Sequence, residues 1–226
     1  SFWYNDVDGV KSGFRLRSSY LKYEHNLDWA MWEGVKSGKF NYEASFREPT
    51  FWLGTGTNFQ LKSFYLDGRV GWEMSLGRDL MRGFFTRRGS TFGAKFKQVL
   101  LKDSNYLPVS TSWSKGKINL VNFFYTFRKP YRIFSTEAKA SLSSSTLGSD
   151  FDYNKSYVEL KGSWNGIPKH TLSLRIMGGY SSGLVPLQDK FYLASSSPLE
   201  EFDNPWYRSK GTLPNDWRKK SHLYLP

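Results

Sequence analysis

Hydrophobic and polar positions alternate along most of this chain, most clearly over residues 157–180. Val158, Leu160, Gly162 and Trp164 share one parity, and Glu159, Lys161 and Ser163 the other. After Asn165-Gly166-Ile167-Pro168-Lys169 the alternation resumes. Leu172, Leu174, Ile176 and Tyr180 then stand against Thr171, Ser173 and Arg175. A period of two is that of a β-strand, whose successive side chains point to opposite faces. Asn-Gly followed by Pro marks a tight turn. The stretch therefore predicts a hairpin with one apolar and one charged face. Each arm, at about ten residues, is long enough to cross a bilayer as a tilted strand.

The same alternation predicts strands over 10–23, 27–31, 40–47, 59–65, 70–76, 92–97, 118–127 and 138–142. With the hairpin this makes about ten strands. Turns are expected at 5–9, 34–38, Asp67-Gly68 and 128–130, and longer loops at 102–115 and 143–152. Residues 77–90 read as a connecting loop or a short basic strand pair. Short turns on one side and long loops on the other is the habit of outer-membrane barrels. The short Asp67-Gly68 turn and the long 77–90 connection both break that rule.

Composition sharpens the choice of fold. Aromatic residues make up 18% of the 226 residues, yet hydrophobic residues reach only 39%. That mixture fits a sheet whose outer face meets lipid, whose ends carry aromatic girdles and whose lumen is polar. Trp52, Trp113 and Trp164 fall near strand ends, as a girdle requires, and girdle or core is the expected place of the tryptophans. The expected fold is all-β, an antiparallel transmembrane β-barrel with a long outer loop. The apolar runs are too short for a transmembrane helix, which needs about 18 residues. Cysteine is absent, which excludes a disulfide framework and thiolate metal sites. Ser1-Phe2-Trp3-Tyr4 is not a secretory leader, and the chain is expected to be an excerpt of a longer protein.

The balance of 32 Lys+Arg against 20 Asp+Glu gives a net charge of +12. The basic residues are spread singly, on the parity opposite the apolar ones. Arg15, Arg17, Lys95, Lys97, Lys161 and Arg175 are thus candidates to line a polar lumen. Nucleic acid is not an expected partner, because these cations are not gathered into one stripe.

After Ser181 the alternation stops. Strands are expected over 1–181 and a long, lumen-folded loop over 182–226, which holds five of the nine prolines. A segment of this length without a period is usually functional. Its candidate residues are Phe191, Tyr192, Glu200, Glu201, Asp203, Trp206 and Arg208. Residues 185–193, VPLQDKFYL, resemble the Leu-Pro-x-x-x-x-Phe-Tyr-Leu segment of the outer-membrane insertase and two-partner-secretion barrel superfamily. In that superfamily the segment opens a long outer loop that folds into the lumen and later carries an Arg-Gly-Tyr motif. No Arg-Gly-Tyr occurs within these 226 residues. SPLEEFDNPWYRSKGTLP over 197–214, with YNDVDG over 4–9 and FREP over 46–49, resembles one branch of such barrels. There the barrel is fused behind a gluzincin-type aminopeptidase domain, mainly in Bacteroidetes-like bacteria. The resemblance implies a bacterial outer-membrane location and further strands beyond this chain. It also implies a role as membrane anchor or as polypeptide insertion or translocation pore. Outer-membrane lipid, polypeptide substrate and other subunits of an outer-membrane complex are the partners implied.

No catalytic constellation is legible. A zinc peptidase needs a His-Glu-x-x-His helix, and His25, His170 and His222 are far apart and expected on turns or loop. Any peptidase domain would lie outside this chain, and no cofactor is expected. Gly54-Thr55-Gly56 lacks the Lys-Ser/Thr of a phosphate loop and reads as a turn. Glu200, Glu201 and Asp203 are expected to meet lumen arginines such as Arg15, Arg17 and Arg175. The alternative fold is a soluble β-sandwich that binds glycans through its aromatics, its apolar parity packed against a second sheet.

Overall fold

The computed structural model describes residues 2–18, 25–80, 89–109, 112–145, 148–167, 170–192, 197–205 and 207–212. They form one antiparallel sheet in which each strand pairs with the next. The strands are β1 (Phe2–Asn5), β2 (Gly9–Arg17), β3 (Asn26–Gly34), β4 (Phe40–Pro49), β5 (Thr57–Leu66) and β6 (Arg69–Asp79). They continue with β7 (Gly89–Leu101), β8 (Lys117–Pro130), β9 (Phe134–Ser145), β10 (Tyr153–Ile167) and β11 (His170–Gly183). A single six-residue helix, α1 (Pro198–Asp203), follows among the described residues. No helix among them is long and apolar enough to cross a membrane.

Eleven strands stand where about ten are predicted by periodicity. The addition is β1, whose four residues are too few to show a period. β8 also runs through Arg128, Lys129 and Pro130, where the sequence predicts a turn. The chain reverses just after, with the Tyr131 N–H donating to the Phe134 carbonyl at 2.6 Å. Pro130, which has no N–H to give, is the strand's last residue. Of the 77–90 connection, β6 takes residues up to Asp79 and β7 those from Gly89; 81–88 lie outside the described residues.

Register sorts the side chains into two faces. Phe59, Leu76, Ala94, Phe123, Leu142, Ser156 and Tyr180 are cross-strand neighbours from β5 to β11. One position along, Gln60, Ser75, Lys95, Asn122, Ser143, Lys155 and Ser181 form a row on the other face. Most large apolar members of the first row are exposed, Tyr180 at 70% and Phe123 at 58%. The dry core lies instead on the polar face, at one end of the sheet. There Phe64, Leu66, Val99, Leu107 and Trp113 pack with Leu199 and Phe202.

The sheet curves around that polar face. Asn5 and Asp67 are four strand spacings apart, about 19 Å in a flat sheet, yet Asn5 Nδ2 donates to Asp67 Oδ1 at 3.3 Å. Tyr106, just after β7, reaches Asp8, just before β2, at 2.6 Å. Side chains of this length can meet only if the strands bend toward each other. Curvature stops short of closure: β1 and β11 do not pair with one another among the described residues. The turns at Asp67-Gly68 and 102–116 share one end, here the proximal end. Residues 50–56 and 131–133 mark the distal end. The short Asp67-Gly68 turn at the long-loop end is therefore a real feature of the connectivity.

Candidate functional site

Two features of the curved polar face stand out. One is a ladder of ion pairs along the strands, and the other is a buried clasp at the proximal end.

The ladder follows from the alternation, because cross-strand partners point the same way. Arg15 Nε donates to Asp28 Oδ1 at 2.6 Å, and Arg17 Nε to Asp28 Oδ2 at 3.1 Å. Glu73 sits 2.8 Å from Lys95 and 4.0 Å from Lys97. Glu137 takes Arg128 at 3.0 Å and Lys139 at 3.1 Å. Glu159 takes Lys161 at 3.0 Å and Arg175 at 3.2 Å. In each case one carboxylate lies between two cations. All six basic residues singled out from the sequence lie in this ladder.

The clasp was not legible as a site. Lys11 Nζ pairs with Asp8 at 2.8 Å and also with Asp67. Asp8 accepts further hydrogen bonds from the Tyr106 hydroxyl at 2.6 Å and from Asn5 Nδ2 at 3.1 Å. Ser37 Oγ adds a third. The Asn5 side chain turns its carbonyl to the backbone N–H groups of Val7 and Asp8, fixing the first turn. Asp67 and Gly68 have φ of 48° and 76°. Left-handed residues at both central positions suit a two-residue hairpin, and the Asp67 N–H donates to Asn41 Oδ1 at 2.7 Å. Burial pushes the Asp8 carboxyl up, but the donors Lys11, Ser37 and Tyr106 outweigh it and hold it below the ordinary value. Burial, reinforced by Asp8, pushes the Tyr106 phenol far up, so it stays a neutral donor.

The C-terminal segment is fastened across this clasp. Arg69 is buried, donating to the carbonyls of Asp67 at 3.1 Å and Arg208 at 3.0 Å. Its guanidinium lies 4.9 Å from the Trp113 ring and 5.1 Å from the Phe202 ring. Arg208 Nε donates to the Phe202 carbonyl at 2.8 Å. The Lys210 N–H donates to the Tyr106 carbonyl, and the Lys210 carbonyl accepts from the Asp6 N–H. Near β10, Asp189 takes Lys155 at 2.9 Å and the Tyr153 hydroxyl at 2.7 Å. Phe191 lies under Lys155, where only Gly179 of β11 leaves room for its ring. Tyr192 donates to the Leu187 carbonyl at 2.9 Å.

Two expectations need correction, and a third is narrowed. Of the girdle or core positions expected for the tryptophans, Trp113 takes the core, buried beside Arg69. The acidic cluster does not meet Arg15, Arg17 or Arg175, whose carboxylates come from neighbouring strands. Glu200 instead accepts from the Ser197 N–H at 2.8 Å in a capping box that starts α1, and Asp203 pairs with Lys97 at 3.3 Å. His170 belongs to β11 rather than to a turn. Glu201 lies within α1, and Trp206 and His222 lie outside the described residues. Trp52 and Trp164 are exposed at the distal end. His25 pairs with Glu48 at 3.4 Å. Among the described residues no three His, Asp or Glu side chains could share a metal ion.

The clasp could have been suspected from acid-bearing turns at both Asp8-Gly9 and Asp67-Gly68, with Lys11 on the parity of Arg15. No family model matches the chain, and no curated protein matches it in sequence.

Proposed function

We propose that this chain is the greater part of a transmembrane β-barrel of a bacterial outer membrane, with the described residues between Leu184 and Thr212 folded into its lumen. The observation that carries this is the inversion of the two faces. Leu172, Leu174 and Ile176 of β11, Val158 and Leu160 of β10, and Phe123 of β8 are exposed together on the convex side. The concave side carries the ion pairs. An apolar band of this extent in water would be an aggregation surface, whereas in lipid it is the required outer wall. A sandwich would have covered it with a second sheet, and the described residues form only one.

Within the barrel reading, the role is that of an anchor or a polypeptide insertion or translocation pore. The buried clasp favours an anchor, because polypeptide could pass only if the C-terminal segment withdrew. A peptidase-like domain tethered outside this chain is the cargo suggested by the resemblance at residues 185–193 and 197–214.

The test is extraction of the full-length protein from membranes, followed by electrophoresis with and without boiling. A detergent requirement and a change in apparent mass on boiling support the reading. A protein that is soluble without detergent and migrates identically either way would refute it and restore the glycan-binding sandwich.

A further inference from the structure

We infer that the concave face between the C-terminal segment and the distal end attracts and conducts small anions. This rests on the barrel reading above.

Stoichiometry leaves the face positive. Asp28, Glu137 and Glu159 each lie between two cations. One carboxylate neutralises one cation, so each of these clusters retains a positive charge. Glu73 also takes two cations, but Asp203 offsets one of them, Lys97. The three positive clusters lie on β2–β3, β8–β9 and β10–β11, so the excess is spread along the curved face instead of gathered at one place. Arg47 adds to it: its guanidinium donates to the neutral Gln60 amide at 3.3 Å, and it has no carboxylate partner among the described residues. Lys62 and Glu43 cancel one another at 2.8 Å. On the strands the opposing charge is Asp79, a carboxylate bonded to the Thr91 hydroxyl at 2.6 Å, and Glu200 and Glu201 of α1 add acid on the C-terminal segment.

Position decides the rest. At the proximal end the added acids come from turns and from the C-terminal segment. Asp8 and Asp67 take Lys11, Asp189 takes Lys155, and Asp203 shares Lys97. The unmatched charge therefore lies on the distal part of the face. There the cationic groups are accessible: Arg17 is 60% exposed and Arg175 53%. Charge of one sign between low-dielectric walls focuses a potential of several kT, and rings of Arg and Lys are how pores prefer anions.

The experiment reconstitutes the full-length protein in planar bilayers. The zero-current potential is measured across a roughly tenfold potassium chloride gradient. The expected result is an anion preference of roughly tenfold or more, on the order that a potential of a few kT produces. It should shrink in about 1 M salt, where the screening length falls to about 3 Å. The Arg17→Glu/Arg175→Glu double variant should abolish or reverse the preference. Arg17→Gln/Arg175→Gln should weaken it and serves if the reversed variant fails to fold. A protein that is heat-modifiable but passes no current, or passes ions without anion preference, overturns this inference and leaves the barrel reading standing. A protein that is soluble and not heat-modifiable overturns both.

Discussion

Asp8 shows how much one side chain can hold together here. It is fully buried and joins Asn5 and Lys11 of the first hairpin, Ser37 of the next turn and Tyr106 of the loop after β7. Burial raises its folded-state pKa, but three donors outweigh burial and bring it below the ordinary 3.8. Asp103 is shifted the same way by Lys39 at 2.7 Å. A depressed carboxylate stabilises the fold fully above its unfolded pKa, and that contribution is lost as pH falls through the folded value. Stability should therefore be flat from about pH 7 to pH 5 and decline below about pH 4. Asp8→Asn should cost about 2 kcal/mol at neutral pH and flatten the acid limb, read from urea midpoints across pH. Gly68 is the second sensitive position. Its φ is 76°, and a Cβ there would lie 2.3 Å from the Asp103 carbonyl oxygen, a backbone atom that cannot swing aside. Gly68→Ala should lower the unfolding free energy by at least about 1 kcal/mol. A urea midpoint that does not move would mean that the turn is not held in this conformation.

At the scale of elements, the strands were legible and the C-terminal segment was not. Alternation found β2 to β11 because each exposes one face to a different environment from the other, which imposes period two on ten separate stretches. It could not find β1, which is too short, and it ended β8 early at a proline that the strand tolerates in last place. The ladder cations were legible for the same reason as the strands. The clasp was not, because Asn5, Asp8, Lys11, Asp67 and Tyr106 meet only through the curvature of the sheet, and alternation carries no information about curvature. Nor could composition show that the Trp113 and Phe202 rings would meet edge to face, 6.3 Å apart, with Arg69 lying against both. That cluster is an apolar hold on the segment, since Phe202 also packs 5.2 Å from the Phe64 ring. Phe202→Ala should cost about 3 kcal/mol or more. Because the strands pair independently of it, the loss should fall on the segment. Limited proteolysis should then cut within 184–212 while the strands stay protected. Cutting at the same rate as in the parent protein would mean that the polar contacts alone hold it.

At the scale of the whole molecule, the question is which solvent the convex face meets, and two adjacent residues of β11 can answer it. Ile176 and Met177 are both large and apolar, both about half exposed, and one position apart. Ile176 stands beside Leu160 on the convex face, and Met177 stands opposite Glu159 on the concave face. In water the two faces are equivalent for an added charge, and Ile176→Arg and Met177→Arg should differ little. In a bilayer they diverge. An arginine on the lipid face costs about 2–4 kcal/mol near the midplane. An arginine at 177 stays on the polar face, near a Glu159 that already holds two cations, and should stay within about 1 kcal/mol of the parent. Urea unfolding of both variants in lipid vesicles, followed by tryptophan fluorescence, separates the cases. A large loss for Ile176→Arg alone assigns the convex face to lipid. Equal, small effects assign it to water, and the ladder would then be a solvated face instead of a lumen wall.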